Sequence, residues 1–412
     1  MSLPDLHPPQ FDRRTGAVVF LAFAAAYFFS AVVRAITATL SPVLTLEFSL
    51  RASDLGLLAG GYFFGFAAAQ LPLGTWLDRY GPKRVIVCFL SLAAAGCVAF
   101  SMASSFAWLL AARVLIGIGV SACLMAPLTG YRRWFDASTL LRANSWMLMT
   151  GSLGMLASTL PVQWLMPYLG WRPLFWILAA MIVLATAVIA CIVPRWTLQL
   201  SNAETQRASY AEIWKSRYFR KMSPLAFFNY GGLIALQTLW AGPWMVKVAG
   251  YSPLQSATGL FYINAVMLVT FWAWGLFNPW LARNGWPADR LIRWGTPLSL
   301  LSFGFNLWAG ASTGWPGWAV FCMLSSVLGL AQPAVGMAFR SALTGRALSA
   351  YNLVIFSGVF VTQWGIGLLI DAFAAAGLTL VGSYQAAMGV ILCCCLASYA
   401  YFLSSSADNS EQ

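Results

Sequence analysis

Long apolar stretches broken by short polar ones recur along all 412 residues of the chain. Crossing the hydrocarbon core takes roughly 20 residues of helix, and stretches of about that length fall at 16–40, 53–77, 84–103, 106–128, 142–168, 173–194, 222–246, 253–281, 291–311, 315–339, 348–370 and 382–403. We number them spans 1 to 12. A backbone in lipid must satisfy its own N–H and C=O groups, which runs of this kind do as α-helices. The pattern predicts an all-α membrane protein of about twelve transmembrane helices. The longest polar interruption, Arg195 to Lys221, divides the spans six and six. The expected organisation is a tail over 1–15, a six-helix bundle over 16–194, a linker over 195–221, a second six-helix bundle over 222–404 and a tail over 405–412.

Composition agrees: 60% of residues are hydrophobic, 9% are charged, and the mean hydropathy is +0.73. Such a chain lacks the polar surface of a soluble domain. Its net charge of +12 would suit a nucleic-acid partner, but the placement of the basic residues excludes one. With odd-numbered spans leaving the cytoplasm, 19 of the 24 Lys and Arg lie in inner loops and tails, and three, Arg51, Arg172 and Lys247, lie outside. Arg34 and Arg113 sit within spans. This is the positive-inside asymmetry, and it places both termini in the cytoplasm. The absence of an Asn-X-Ser/Thr sequon points to a bacterial inner membrane. All eight cysteines fall within spans, where they serve as apolar fillers, and no cysteine or histidine spacing suggests a metal site.

The two halves echo each other. WLDRYG at 76–81 returns as WLARNG at 280–285, and LLRANS at 140–145 as TGRALS at 344–349, both at an offset of 204 (283 − 79 and 346 − 142). One offset shared by two matches implies a duplicated unit, and hence pseudo-symmetric bundles with a solute path between them near the midplane.

The stretch GTWLDRYGPKR at 74–84 matches the Gly-x-x-x-Asp-Arg-x-Gly-x-Arg/Lys-Arg loop signature of the major facilitator superfamily. RVLIGIG at 113–119, with Arg113, Gly117 and Gly119, resembles that family's span 4 motif, and the layout resembles the family over about residues 14–404. The resemblance implies two bundles rocking about a central cavity. In the loop, Gly74 suits close helix packing, Gly81 a tight turn, and Arg79, Lys83 and Arg84 retention on the cytoplasmic side. Asp78 is the family's gate acid, expected to meet the N-terminus of span 11, where a helix favours an anion. The second copy carries Ala282 in its place. The family's drug-antiporter signature, Gly-x-x-x-Gly-Pro in span 5, is absent from GSLGMLASTLP at 151–161.

Arg34 interrupts span 1, where an arginine costs roughly 2.5–3.5 kcal/mol at a helix centre. Tyr27, Ser30, Arg34, Thr37 and Ser41 recur at helical spacing and form one polar stripe. Span 1 resembles that of organic-anion and organophosphate members of the superfamily, where an arginine at similar depth holds the anionic group. Tyr230, Gln237, Trp240, Trp244 and Lys247 form a comparable stripe in span 7, without a second arginine. Further lining candidates are Asn352 and Gln363 in span 11 and Tyr62 and Gln70 in span 2, each also suited to a helix-to-helix hydrogen bond. Every acid lies in a tail, a loop or a span end; Glu47, Asp54 and Asp371 are candidates for protonation, rim or capping.

The expected function is secondary-active or facilitative transport of a small organic anion, a carboxylate or phosphate ester, by alternating access. The competing readings are an exporter or carrier of drugs or of zwitterions such as peptides, and a transporter-like solute receptor. The spans hold no histidine and no acid pair, so neither an enzyme nor a cofactor is expected. Expected partners are the solute, the bilayer and a coupling ion (H+ or Na+) or counter-anion, with the chain a monomer.

Overall fold

The computed structural model describes residues 13–135, 137–194 and 210–407. Most of the predicted N-terminal tail, the first part of the linker and the end of the C-terminal tail lie outside the described residues, as does the side chain of Asp78. Among the described residues all regular structure is helical. Nine of these helices are long and apolar enough to cross a membrane, and they coincide with spans 1 to 4, 6, 8 and 10 to 12.

The remaining spans are helical but interrupted or more polar. Span 5 runs as Ala137–Ala157 and Leu160–Leu169, and span 9 as Ala288–Ala309. Span 7 carries two π-turns, Leu225–Tyr230 and Leu236–Trp240, between short α-helical pieces. Span 1 extends well beyond the apolar stretch, as the 36-residue helix Arg13–Phe48. Spans 2 and 3 join within Ala52–Ser101, where Gly81 breaks the helix at φ 77°. An L side chain rarely adopts that conformation, so the loop signature needs its glycine there.

Small residues let the helices approach without a hydrophobic driving force between them. A Cβ at Gly117 would strike the Tyr62 carbonyl, and one at Gly119 the Ala93 backbone, so span 4 packs directly on spans 2 and 3. Spans 2 and 11 run antiparallel in contact along their lengths. A Cβ at Gly56 would collide with the Gln363 carbonyl, Phe66 meets Phe356 at 4.4 Å between ring centroids, and Gly74 lies beside Ser349.

Polar clamps hold the helix ends. Asp371, near the end of span 11, accepts hydrogen bonds from the backbone N–H groups of Ala52 (3.2 Å) and Ser53 (2.9 Å), capping the start of span 2. Nearby, Glu47 accepts from Trp171 Nε1 (2.7 Å) and Arg172 (2.6 Å), while Asp54 accepts from the Arg51 N–H at 3.0 Å. All three acids are thus engaged in capping or pairing. At the opposite end, Lys221 pairs with Asp289 (3.6 Å), which also accepts from Tyr218 Oη (2.7 Å). Burial, and then the bond to that carboxylate, raise the Tyr218 phenol above its usual range, so it remains a donor at any physiological pH.

Candidate functional site

Arg34 lies on the face of span 1 that turns towards spans 2, 4 and 7. Its electrostatic neighbours are the Tyr62 and Tyr27 hydroxyls, with the guanidinium carbon 6.0 Å from the centre of the Tyr27 ring. Tyr230 of span 7 and Cys123 of span 4 complete the surround. Among the described residues no carboxylate pairs with Arg34.

The hydrogen bonding around this cation is incomplete. Arg34 Nε, Ser30 Oγ and Tyr62 Oη are shielded from solvent and, although Arg34 lies beside Tyr62 and Tyr62 beside Ser30, none of the three atoms is in a well-formed hydrogen bond; Ser30 and Tyr62 are each 1% exposed. Leaving one such group unmet costs about 1–3 kcal/mol, and native interiors leave few. Three groups able to donate thus lie together around the Arg34 side chain with unmet hydrogen-bonding capacity. Arg34 itself keeps part of its surface accessible.

The structure distributes the other expected residues differently. Arg113 is fully buried between Phe100 and Phe175, with ring centroids 4.9 and 5.8 Å from its guanidinium carbon. It donates to the Val33 carbonyl at 2.8 Å and to Thr37 Oγ1. Thr37 is thereby committed to joining spans 1 and 4. Trp240 and Trp244 are 0% exposed, their indole N–H groups spent on the carbonyls of Gln363 (3.0 Å) and Thr313 (3.2 Å). The expected aromatic wall is packed interior.

The side-chain amides mostly join helices. Gln237 donates to Asn264 (2.9 Å), Gln363 to Thr238 (3.0 Å), and Gln332 to Asn352 (2.7 Å). Gln70 is buried and reaches the Phe66 carbonyl of its own helix at 3.5 Å. In the loop motif, Arg79 lies over the Tyr80 ring at 5.3 Å, and Arg84 is exposed. The gate role of Asp78 lies outside the described residues.

Two members of the Arg34 surround were not among the expected binding residues. Tyr230 headed the span 7 stripe, a signal that could have singled it out. Cys123 carried no signal that distinguished it from a packing cysteine.

A family model described as Major Facilitator Superfamily matches residues 23–363. The chain belongs to the major facilitator superfamily. Members of this superfamily are multi-pass membrane transporters rather than enzymes, as the arrangement of spans anticipates. Over 248 residues the chain is 24% identical to the probable sulfoacetate transporter SauU of Cupriavidus necator, covering 56% of this chain and 57% of the relative. Over 267 residues it is 23% identical to the niacin transporter NiaP of Acinetobacter baylyi, covering 56% and 60%. The chain thus spans less than two thirds of the length of these relatives. It also matches the crystal structure of a bacterial homolog to the human lysosomal transporter Spinster, in an inward-facing and unoccupied conformation, with a TM-score of 0.78 at 18% identity over 96% of this chain and 98% of that one. At that identity the likeness shows the superfamily fold alone.

Proposed function

We propose that the protein is a transporter of small organic anions, working by alternating access in a bacterial inner membrane with both termini in the cytoplasm. The carrying observation is Arg34: a partly exposed cation with no acid partner among the described residues, beside the buried hydroxyls of Tyr62 and Ser30, neither of them in a well-formed hydrogen bond. A guanidinium takes a planar oxyanion through two parallel hydrogen bonds, a geometry that lysine's single ammonium cannot copy. Ser30 and Tyr62 supply further donors, and Tyr230 closes the site from the second half of the chain. Two relatives are named for solutes that carry acid groups, sulfoacetate and niacin, which supports the reading.

Transport then requires spans 2 and 11 to part alternately at either end. The end held by Asp371 is the outer one in the orientation given by the basic residues. Asp78 serves as the gate acid at the cytoplasmic end.

Arg34→Lys keeps the charge but gives up the paired geometry. A charge-assisted hydrogen bond is worth about 1.5–3 kcal/mol, so uptake at limiting solute should fall about 10- to 150-fold. Arg34→Ala should abolish uptake, with both variants reaching the membrane normally. Normal transport by Arg34→Ala, or a cation as the best ligand, would refute the anion assignment.

A further inference from the structure

We propose that the group entering the Arg34 site carries a single negative charge, as a carboxylate or sulfonate does, and that Ser30 and Tyr62 donate hydrogen bonds to it. The inference deepens the organic-anion reading and rests on it. A phosphate monoester is then accepted in its singly charged form and rejected in its doubly charged one.

Charge balance carries the first half of this inference. Among the described residues the site offers one accessible cation: Arg113, also in the first six spans, is sealed at 0% exposure and donates to Val33 and Thr37, although its Nε is unpartnered and its charge also acts on Tyr62. What surrounds Arg34 is otherwise neutral: the phenols of Tyr27, Tyr62 and Tyr230, the Ser30 hydroxyl and the Cys123 thiol. One negative charge is matched by the accessible guanidinium; a second would make contact with no further cation and have only the more distant field of the sealed Arg113 to offset it, and a low-dielectric interior penalises an unpaired charge heavily.

Hydrogen-bond balance carries the second half. Arg34 Nε, Ser30 Oγ and Tyr62 Oη, none of them in a well-formed hydrogen bond, can all donate to an oxyanion. Tyr62 is held for that purpose by its backbone, which lies against Gly117 of span 4 without an intervening side chain. Ser30 sits one turn from Arg34 on the same helical face. A carboxylate or sulfonate offers enough lone pairs to satisfy all of these donors together.

The test uses four probes with one ring and different head groups: benzoate, benzenesulfonate, phenyl phosphate and uncharged benzamide. Thermal stabilisation of the purified full-length protein is measured at pH 5 and pH 8 across a concentration series of each. A phosphate monoester loses its second proton near pH ~6, so the singly charged fraction of phenyl phosphate falls about a hundredfold between those pH values. Among the described residues the groups facing Arg34 include no carboxylate and no imidazole, the side chains that ordinarily titrate between pH 5 and pH 8, so the change falls on the probe.

Benzoate and benzenesulfonate should stabilise the protein at both pH values, and phenyl phosphate should bind about a hundredfold more weakly at pH 8. Equal binding of phenyl phosphate at both would overturn the single-charge inference while leaving the anion reading standing. Equal stabilisation by benzamide, or none by any of the three anions, would overturn both. Tyr62→Phe and Ser30→Ala should each weaken benzoate about tenfold while moving the ligand-free Tm little, because neither hydroxyl is in a well-formed hydrogen bond. Unchanged benzoate affinity in both variants would remove the two hydroxyls from the site.

Discussion

Asp371→Ala should loosen one end of the molecule by a calculable amount. The carboxylate accepts the first two backbone N–H groups of span 2, from a residue 319 and 318 positions away on span 11. A side-chain cap is worth about 0.5–2 kcal/mol, and each hydrogen bond to a charged group about 1.5–3 kcal/mol when buried. The site is only part-buried, and water replaces some of what is lost, so we take a net ~1–3 kcal/mol for the pair. That shifts the balance between closed and open conformers at this end by about 5- to 150-fold. Asp371→Asn keeps one acceptor oxygen and should give a smaller shift. Spin labels at the exposed positions Leu46 and Leu378, with the exposed native cysteines replaced, would report the populations as a distance distribution. Asp54→Ala is the control, since Asp54 caps the same helix from within, through the Arg51 N–H, and is retained whether or not the spans part. If Asp371→Ala and Asp54→Ala gave the same distribution, the contact would be an ordinary cap and the latch would be refuted.

Three further outcomes are expected. Gly117→Ala drives a Cβ into the Tyr62 backbone, which cannot step aside, and should lower stability by about 1–3 kcal/mol; Gly365→Ala, which meets open space, should be neutral in the same thermal melt. Cysteines at Ser312 and Lys215 should differ in intact cells, an impermeant thiol reagent labelling the first and sparing the second; the reverse would invert the topology. Asp78→Asn should leave the protein in the membrane but favour its inward-facing state, whereas Ala282→Asp should change transport little. Unchanged transport and periplasmic accessibility in Asp78→Asn would reduce the acid to a topology anchor.

Much of the architecture was legible because lipid leaves a chain few options: length and hydropathy alone located the helices, and the loop signature named the turn at Gly81. Within span 1 the polar stripe was legible too. An unbroken helix keeps its 3.6-residue period, so Ser30 and Tyr27 fell on Arg34's face as the spacing required. Span 7 defeated the same reasoning. A π-turn holds one extra residue, which swings the residues beyond it by roughly 100° relative to a regular helix. The turn at Leu236–Trp240 lies inside the stripe extrapolated from Tyr230, so Trp240 and Trp244 come out in the packed interior while Tyr230 stays within the electrostatic reach of Arg34. Thr37 misled for another reason: its face was read correctly, but periodicity carries no information about a partner 76 residues away, and Arg113 had claimed it. Asp371 reads in sequence as one more rim acid because its partners are backbone groups, which no residue type announces.

The charge of Arg34, which has no acid partner among the described residues, also makes the proposed cycle electrical. A carrier that reorients empty drags that charge through part of the membrane field. One that reorients with a singly charged solute moves one charge fewer, with Arg113 contributing equally to both journeys. A full charge crossing 100 mV is worth ~2.3 kcal/mol, or roughly a 50-fold bias. Voltage would therefore act differently on the empty and loaded limbs, so the resting potential of the cell sets which direction of exchange is fast even where the solute concentrations on the two sides are equal.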